Sequence, residues 1–132
     1  MTAVDTNVLV RLLTADEPKQ AAAARALFAK DQIWIAKSVW LETCWVLTSL
    51  YEFDESAVCG AFKKLLGLAN VQTEDPPAIT AALAFAEKGL EFADALHLNS
   101  RAADSNFATF DQAFAQRARR AGEASIVKLA KK

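Results

Sequence analysis

Five short runs rich in apolar or β-branched residues, Thr2 to Val4, QIWIA (32–36), NVQT (70–73), NFATF (106–110) and SIVKL (125–129), are separated by stretches of helical spacing. No other feature constrains the fold as strongly. Strands joined through helices of ten or more residues cannot pair as hairpins; they require crossovers, and crossovers build a parallel sheet with helices on its faces. The helix signals fall where this scheme needs them. Asn7 to Leu13 follows the first strand, and Asp16 reads as the N-cap of a helix with Glu17 and Pro18 in its first turn. Ser38 is expected to cap VWLETCWVLTSLYEF, and Asp54 to cap ESAVCGAFKKLLGLA. Pro76-Pro77 opens a helix running to about Lys88 and ended by Gly89; helices over Phe92–Ala103 and Asp111–Ala121 follow, the last stopping at Gly122. The expected fold class is α/β, a three-layer α/β/α sandwich around a small parallel sheet of four to five strands.

A chain of 132 residues that is 53% hydrophobic, with only seven Gly and Pro together, can bury a substantial core, and residues 1–132 read as a single domain. Cys44 and Cys59 lie in helical apolar patterns without metal-ligand spacing, which suits small buried thiols in a reducing compartment. No apolar run approaches a membrane span and no basic n-region with an apolar h-region opens the chain, so a soluble cytoplasmic protein is expected. The net charge of −1 suggests no partner, but its distribution is uneven. Arg117, Arg119, Arg120, Lys128, Lys131 and Lys132 crowd the last sixteen residues against Glu123 alone, as a solvated basic face or a phosphate-binding flank.

Four acids stand out. Asp5 and Asp111 each follow a strand, and functional groups in parallel sheets gather beyond the C-terminal strand ends. Glu42 lies early in the helix leaving the second strand, among Val39, Trp40, Leu41, Trp45 and Val46. Asp94 sits in LEFADALHLNS. Each has an ordinary alternative: Asp5 and Asp111 as helix caps, Glu42 paired with Lys37, Asp94 with His97 or Arg101. Together they would converge on one pocket. Carboxylates about 4 Å apart repel by on the order of 4 kcal/mol per pair at an effective dielectric near 20, so such a cluster needs protons or a cation. Oxygen donors alone select Mg²⁺ or Mn²⁺ over zinc. Apart from these four, the fifteen basic residues exceed the remaining twelve acids by three, which suits a polyanionic substrate.

In AVDTNVLV, in SVWLETCWVL around Glu42, in FADALHL around Asp94 and in ATFDQAF around Asp111, the chain resembles PIN-domain ribonucleases, and specifically the VapC toxins of bacterial toxin–antitoxin pairs. The resemblance covers essentially the whole chain. It implies a Mg²⁺- or Mn²⁺-dependent endoribonuclease acting on RNA, homodimerisation, and inhibition by a VapB-type antitoxin. By motif match Asp5 and Asp94 would be the principal metal ligands, with Glu42 and Asp111 completing a catalytic quartet. Asn7 would brace Asp5 through a hydrogen bond, and Thr109 would orient the site or contact a phosphate.

His97, the only histidine, reads as a structural partner of Asp94 rather than a general base. Trp34, Trp40 and Trp45 could stack on bases but read as core or dimer interface, and the surplus of apolar residues that includes Tyr51, Phe53 and Phe62 suits core or a partner surface. A receiver-type domain would need an early acid pair, where Asn7 stands instead, and a phosphatase using Asp5 as nucleophile would want a second aspartate at that position. A catalytically silent PIN-like binding module, acting only through a protein partner, is the alternative function.

Overall fold

A computed structural model describes residues 1–129, so Lys131 and Lys132 of the basic flank lie outside the described residues. The chain divides into two compact units, Met1–Pro76 and Pro77–Lys132.

In the first unit β1 (Thr2–Ala3), β2 (Ile33–Ile35) and β3 (Val71–Thr73) form a parallel sheet in that order, with Thr2 opposite Ile33 and Ile33 opposite Val71. Helices α1 (Thr6–Thr14) and α2 (Pro18–Lys30) connect β1 to β2. Helix α3 (Lys37–Trp45), a π-helical turn (Val46–Leu50) and α4 (Glu55–Leu66) connect β2 to β3. Ile33, Ile35, Leu9, Trp40 and Phe62 are fully buried. The Trp40 and Phe62 rings meet edge to face at 4.9 Å, and the indole Nε1 donates to the Thr73 hydroxyl at 2.8 Å, so the largest side chain of this core has its polar atom satisfied.

The second unit has α5 (Pro76–Glu87), α6 (Phe92–Asn99), β4 (Phe107–Thr109), α7 (Gln112–Arg120) and β5 (Ile126–Lys128). Strands β4 and β5 pair in parallel, with Phe107 opposite Ile126. Ile79, Ala82, Phe92, Leu96, Leu98 and Ala118 are buried to 1% exposure or less. The helix-ending role expected of Gly89 and Gly122 is met by φ values of 103° and 107°, which a side chain would strain. The α/β class, the parallel pairing and the five strands agree with the sequence; hydrogen bonding divides the strands into sheets of three and two.

Several boundaries moved, each for a local reason. Asp16 does not cap α2; Glu17 does, accepting from the amides of Lys19 and Gln20. Asp16 is taken up by Arg11 at 3.1 Å, Thr14 at 2.8 Å and the Tyr51 hydroxyl at 2.6 Å. Ser38 is not a cap either: α3 starts one residue earlier, and its Lys37 amide donates to Glu74 at 2.9 Å. Asp54 holds the N-cap position of α4 without a side-chain hydrogen bond to that helix. The helix from Lys37 widens into the π turn where the Thr48 hydroxyl donates to the Cys44 carbonyl at 2.8 Å, a bond that loosens the helical ladder. Helix α6 stops at Asn99 rather than Ala103, because the Arg101 guanidinium donates to the Leu98 and Ser105 carbonyls, both at 2.8 Å, and draws the chain into a turn.

Thr43 is fully buried, and its hydroxyl has no hydrogen-bond partner among the described residues. Thr43→Val keeps the shape and removes the stranded hydroxyl. It should stabilise the protein by about 1 kcal/mol in urea unfolding; a loss of stability would show that the hydroxyl is paired.

Glu123 accepts the Ser125 amide at 3.0 Å and pairs with Arg101 at 3.1 Å. The Ser125 hydrogen bond first, then Arg101, holds its carboxyl below the usual range against the effect of burial. Stability from a lowered folded value is present above the unfolded pKa of about 4.3 and is lost as pH falls through the lower folded one. Glu123→Gln should therefore cost about 1 kcal/mol at pH 7, and the cost should shrink as pH falls below the unfolded value. A cost that did not change with pH would mean the carboxylate's charge is not what stabilises.

Candidate active site

Asp5 leaves β1 in an extended conformation and caps α1, its Oδ1 accepting the Val8 amide at 3.1 Å. Asp111 does the same after β4, its Oδ1 accepting the Phe114 amide at 3.0 Å. The capping role that competed with a functional one is therefore real for both. It uses one oxygen of each carboxylate; among the described residues the other has no hydrogen-bond partner. Each acid sits at a helix N-terminus, where the backbone dipole favours negative charge.

Glu42 is exposed, contrary to its apolar sequence neighbourhood. Helical periodicity turns Trp40, Thr43 and Cys44 inward and leaves Glu42 outside. Its carboxylate accepts the hydroxyl of Thr6, a residue whose part was not evident from sequence although it sits inside the Asp5-Thr6-Asn7 motif. Asp5, Thr6, Asn7, Glu42 and Val46 line a cavity of about 260 Å³, so the first unit brings Asp5 and Glu42 together. Asn7 is exposed and does not brace Asp5; the Val8 amide, three residues on, is the donor an N-cap aspartate reaches.

In the second unit Asp94 lies half-buried in the first turn of α6. Burial pushes its carboxyl above the usual range, Glu91 and Asp111 add to the effect, and His97 and Arg117 oppose it. Asp94 and Asp111 thus share one electrostatic neighbourhood. The Thr109 hydroxyl accepts the Asp111 amide at 3.0 Å and orders the turn that presents it. Two of the ion-pair alternatives did not form, since Lys37 pairs with Asp75 at 2.8 Å and Arg101 with Glu123, while His97 remains an electrostatic neighbour of Asp94. Cys44 has its thiol pushed up to about 12 by burial, with Glu55 adding to the effect, and does not act as a nucleophile near neutral pH. Both cysteines are buried thiols outside any disulfide. Trp40 belongs to the core, Trp34 is half-buried, and Trp45 is 58% exposed.

The donor chemistry fits a hard divalent cation. All four acids offer carboxylate oxygens, three of them exposed, and the fourth sits where positive charge would relieve it. Among the described residues no cluster of three or more His, Cys, Asp or Glu side chains forms a ready metal site. Mg²⁺ typically takes one or two carboxylates and completes its shell with water and phosphate oxygens.

In each unit an aspartate stands just beyond the C-terminal end of a parallel strand, where functional groups of α/β folds gather. The chain belongs to the PIN domain family, whose model matches residues 2–120, and that fold is a nuclease fold. No curated protein matches the chain. No helix among the described residues is long and apolar enough to cross a membrane.

Proposed function

We propose that this protein is a Mg²⁺- or Mn²⁺-dependent endoribonuclease, the toxin of a VapBC-type pair, in which Asp5, Glu42, Asp94 and Asp111 form the metal-binding and catalytic set. The observation that carries the reading is the repeated device at Asp5 and Asp111: a strand ends, an aspartate caps the next helix with one oxygen, and the other oxygen is left for a ligand. Glu42 beside Asp5 and Asp94 beside Asp111 supply the second acid in each case. A bound cation would supply Lewis acidity toward a phosphodiester and a water of lowered pKa. The chain's own part is to place and orient the carboxylates: Asp5 and Asp111 stand at helix N-termini, Thr6 donates its hydroxyl to Glu42, and Thr109 orders the turn at Asp111.

Residues 1–132 act in this reading as a single domain, supported by a family match that runs through the boundary between the two compact units. A homodimer and a VapB-type antitoxin are the proposed partners in the cytoplasm. Support comes from Trp45, Leu50 and Phe53, which are 58%, 65% and 45% exposed along the end of α3, the π turn and the segment after it. Calorimetric titration with Mn²⁺ tests the metal site. Binding by the wild-type protein that is lost in Asp5→Asn and in Asp94→Asn is expected; unchanged binding in either variant would remove that residue from the set.

A further inference from the structure

A second and larger cavity, of about 380 Å³, opens between α1 and α2 and is lined by Asp5, Asn7, Val8, Arg11, Gln20, Ala23, Ala24 and Leu27. Its α2 wall is one helical stripe, Gln20, Ala23, Ala24 and Leu27, at spacings of three and four residues. The two alanines are what leave the room; a longer side chain there would close the space. Its α1 wall contributes Asn7, Val8 and Arg11. The volume falls in the range of about 300–1000 Å³ typical of small-ligand pockets.

Arg11 is held in place on several sides. Its Nε donates to Gln20 Oε1 at 2.7 Å, and its Nη1 donates to Asp16 and to the Tyr51 hydroxyl, each at 3.1 Å. Because Gln20 spends its carbonyl oxygen on Arg11, its amide NH₂ remains as a donor. The cavity therefore offers an apolar wall of Ala23, Ala24, Leu27 and Val8, a braced guanidinium, and two carboxamides at Asn7 and Gln20. An apolar face beside a fixed cationic plane, with hydrogen-bonding groups at the edge, matches an unstacked nucleobase. A bare phosphate would leave the apolar wall unused.

Asp5 and Asn7 line both this cavity and the 260 Å³ cavity that contains Glu42. We propose that the cavity between α1 and α2 is a base-binding subsite, seating the heterocycle of an RNA nucleotide beside the Asp5 carboxylate, where a bound cation would hold the phosphate. The subsite rests on the nuclease reading for its biological use, but not for its binding of a base. Arg11 and Gln20 are its specificity-determining residues.

Methyl NMR of the metal-free full-length protein, titrated with each of the four nucleoside 5′-monophosphates and with ribose 5-phosphate, tests this directly. The expected result is that at least one nucleotide shifts the methyls of Val8, Ala23, Ala24 and Leu27 while ribose 5-phosphate does not. Ala23→Trp, at an exposed position on the cavity wall, should abolish those shifts while the protein stays folded by circular dichroism. On RNA the same variant should raise KM by about tenfold and leave kcat within about twofold. Shifts absent for all four nucleotides, or equal with ribose 5-phosphate, would overturn the subsite, as would an Ala23→Trp protein that cleaves RNA with unchanged KM and site choice. Nucleotide shifts in a wild-type protein that cleaves no RNA would uphold the subsite and count against the nuclease reading alone.

Discussion

Asp94→Asn is expected to lower RNA cleavage by more than about a hundredfold and, at the same time, to raise the Tm of the metal-free protein. The first effect follows from its proposed place among the metal ligands; even partners one shell further out typically cost 10–100-fold. The second follows from its surroundings. Burial, Glu91 and Asp111 all disfavour the ionised form. A carboxyl whose folded pKa lies above its unfolded one takes up protons on folding, so its charge costs stability at neutral pH and the cost disappears in acid. Asparagine removes the charge and keeps the shape. The gain in Tm should thus be present at pH 7 and vanish near pH 3. A residue retained against stability is the pattern expected of function. If Asp94→Asn lost stability at pH 7, Asp94 would be a structural acid with a partner in the fold.

The largest loss of stability is expected from Trp40→Ala. Trp40 is fully buried, packs edge to face on Phe62, and donates its indole N–H to Thr73, whose hydroxyl is in turn placed to donate to the Ile35 or Glu74 carbonyl. Truncating a buried tryptophan costs about 3–5 kcal/mol, a large share of a domain stability of about 5–15 kcal/mol. Trp40→Phe keeps most of the ring and drops the hydrogen bond, and should cost about 1–3 kcal/mol. Urea unfolding of the three proteins gives both numbers. A Trp40→Ala cost below about 1 kcal/mol would show that the core of the first unit is not built around this ring.

The sequence carried the strands because each is a compact apolar or β-branched run bounded by helix signals, and IWI and FAT stand where they were expected. It carried Asp5 and Asp111 for the same reason: a strand end fixes where the next residue goes. What it did not carry depended on partners distant in the chain. Asp16 lost its capping role to Arg11 and Tyr51, the latter thirty-five positions from it. The start of α3 is tied to Glu74, thirty-seven positions away; the end of α6 depends instead on a near neighbour, the Arg101 guanidinium bonded to the Leu98 carbonyl. The exposure of Glu42 was legible in principle, since Trp40, Thr43 and Cys44 already mark the buried side of that helix; counting apolar neighbours along the chain hid it. Thr6 was hidden differently, because a hydroxyl at the first position of a helix carries no pattern of its own.

In the proposed mechanism, carboxylates led by Asp5 hold a divalent cation for RNA hydrolysis. The most direct measurement is cleavage of a small-RNA pool by the purified protein with Mg²⁺, with Mn²⁺ and with EDTA, beside Asp5→Asn. Discrete fragments are expected with either metal, none with EDTA, and none from the variant. Cleavage that survives EDTA, or that Asp5→Asn carries out as well as the wild type, would contradict that mechanism.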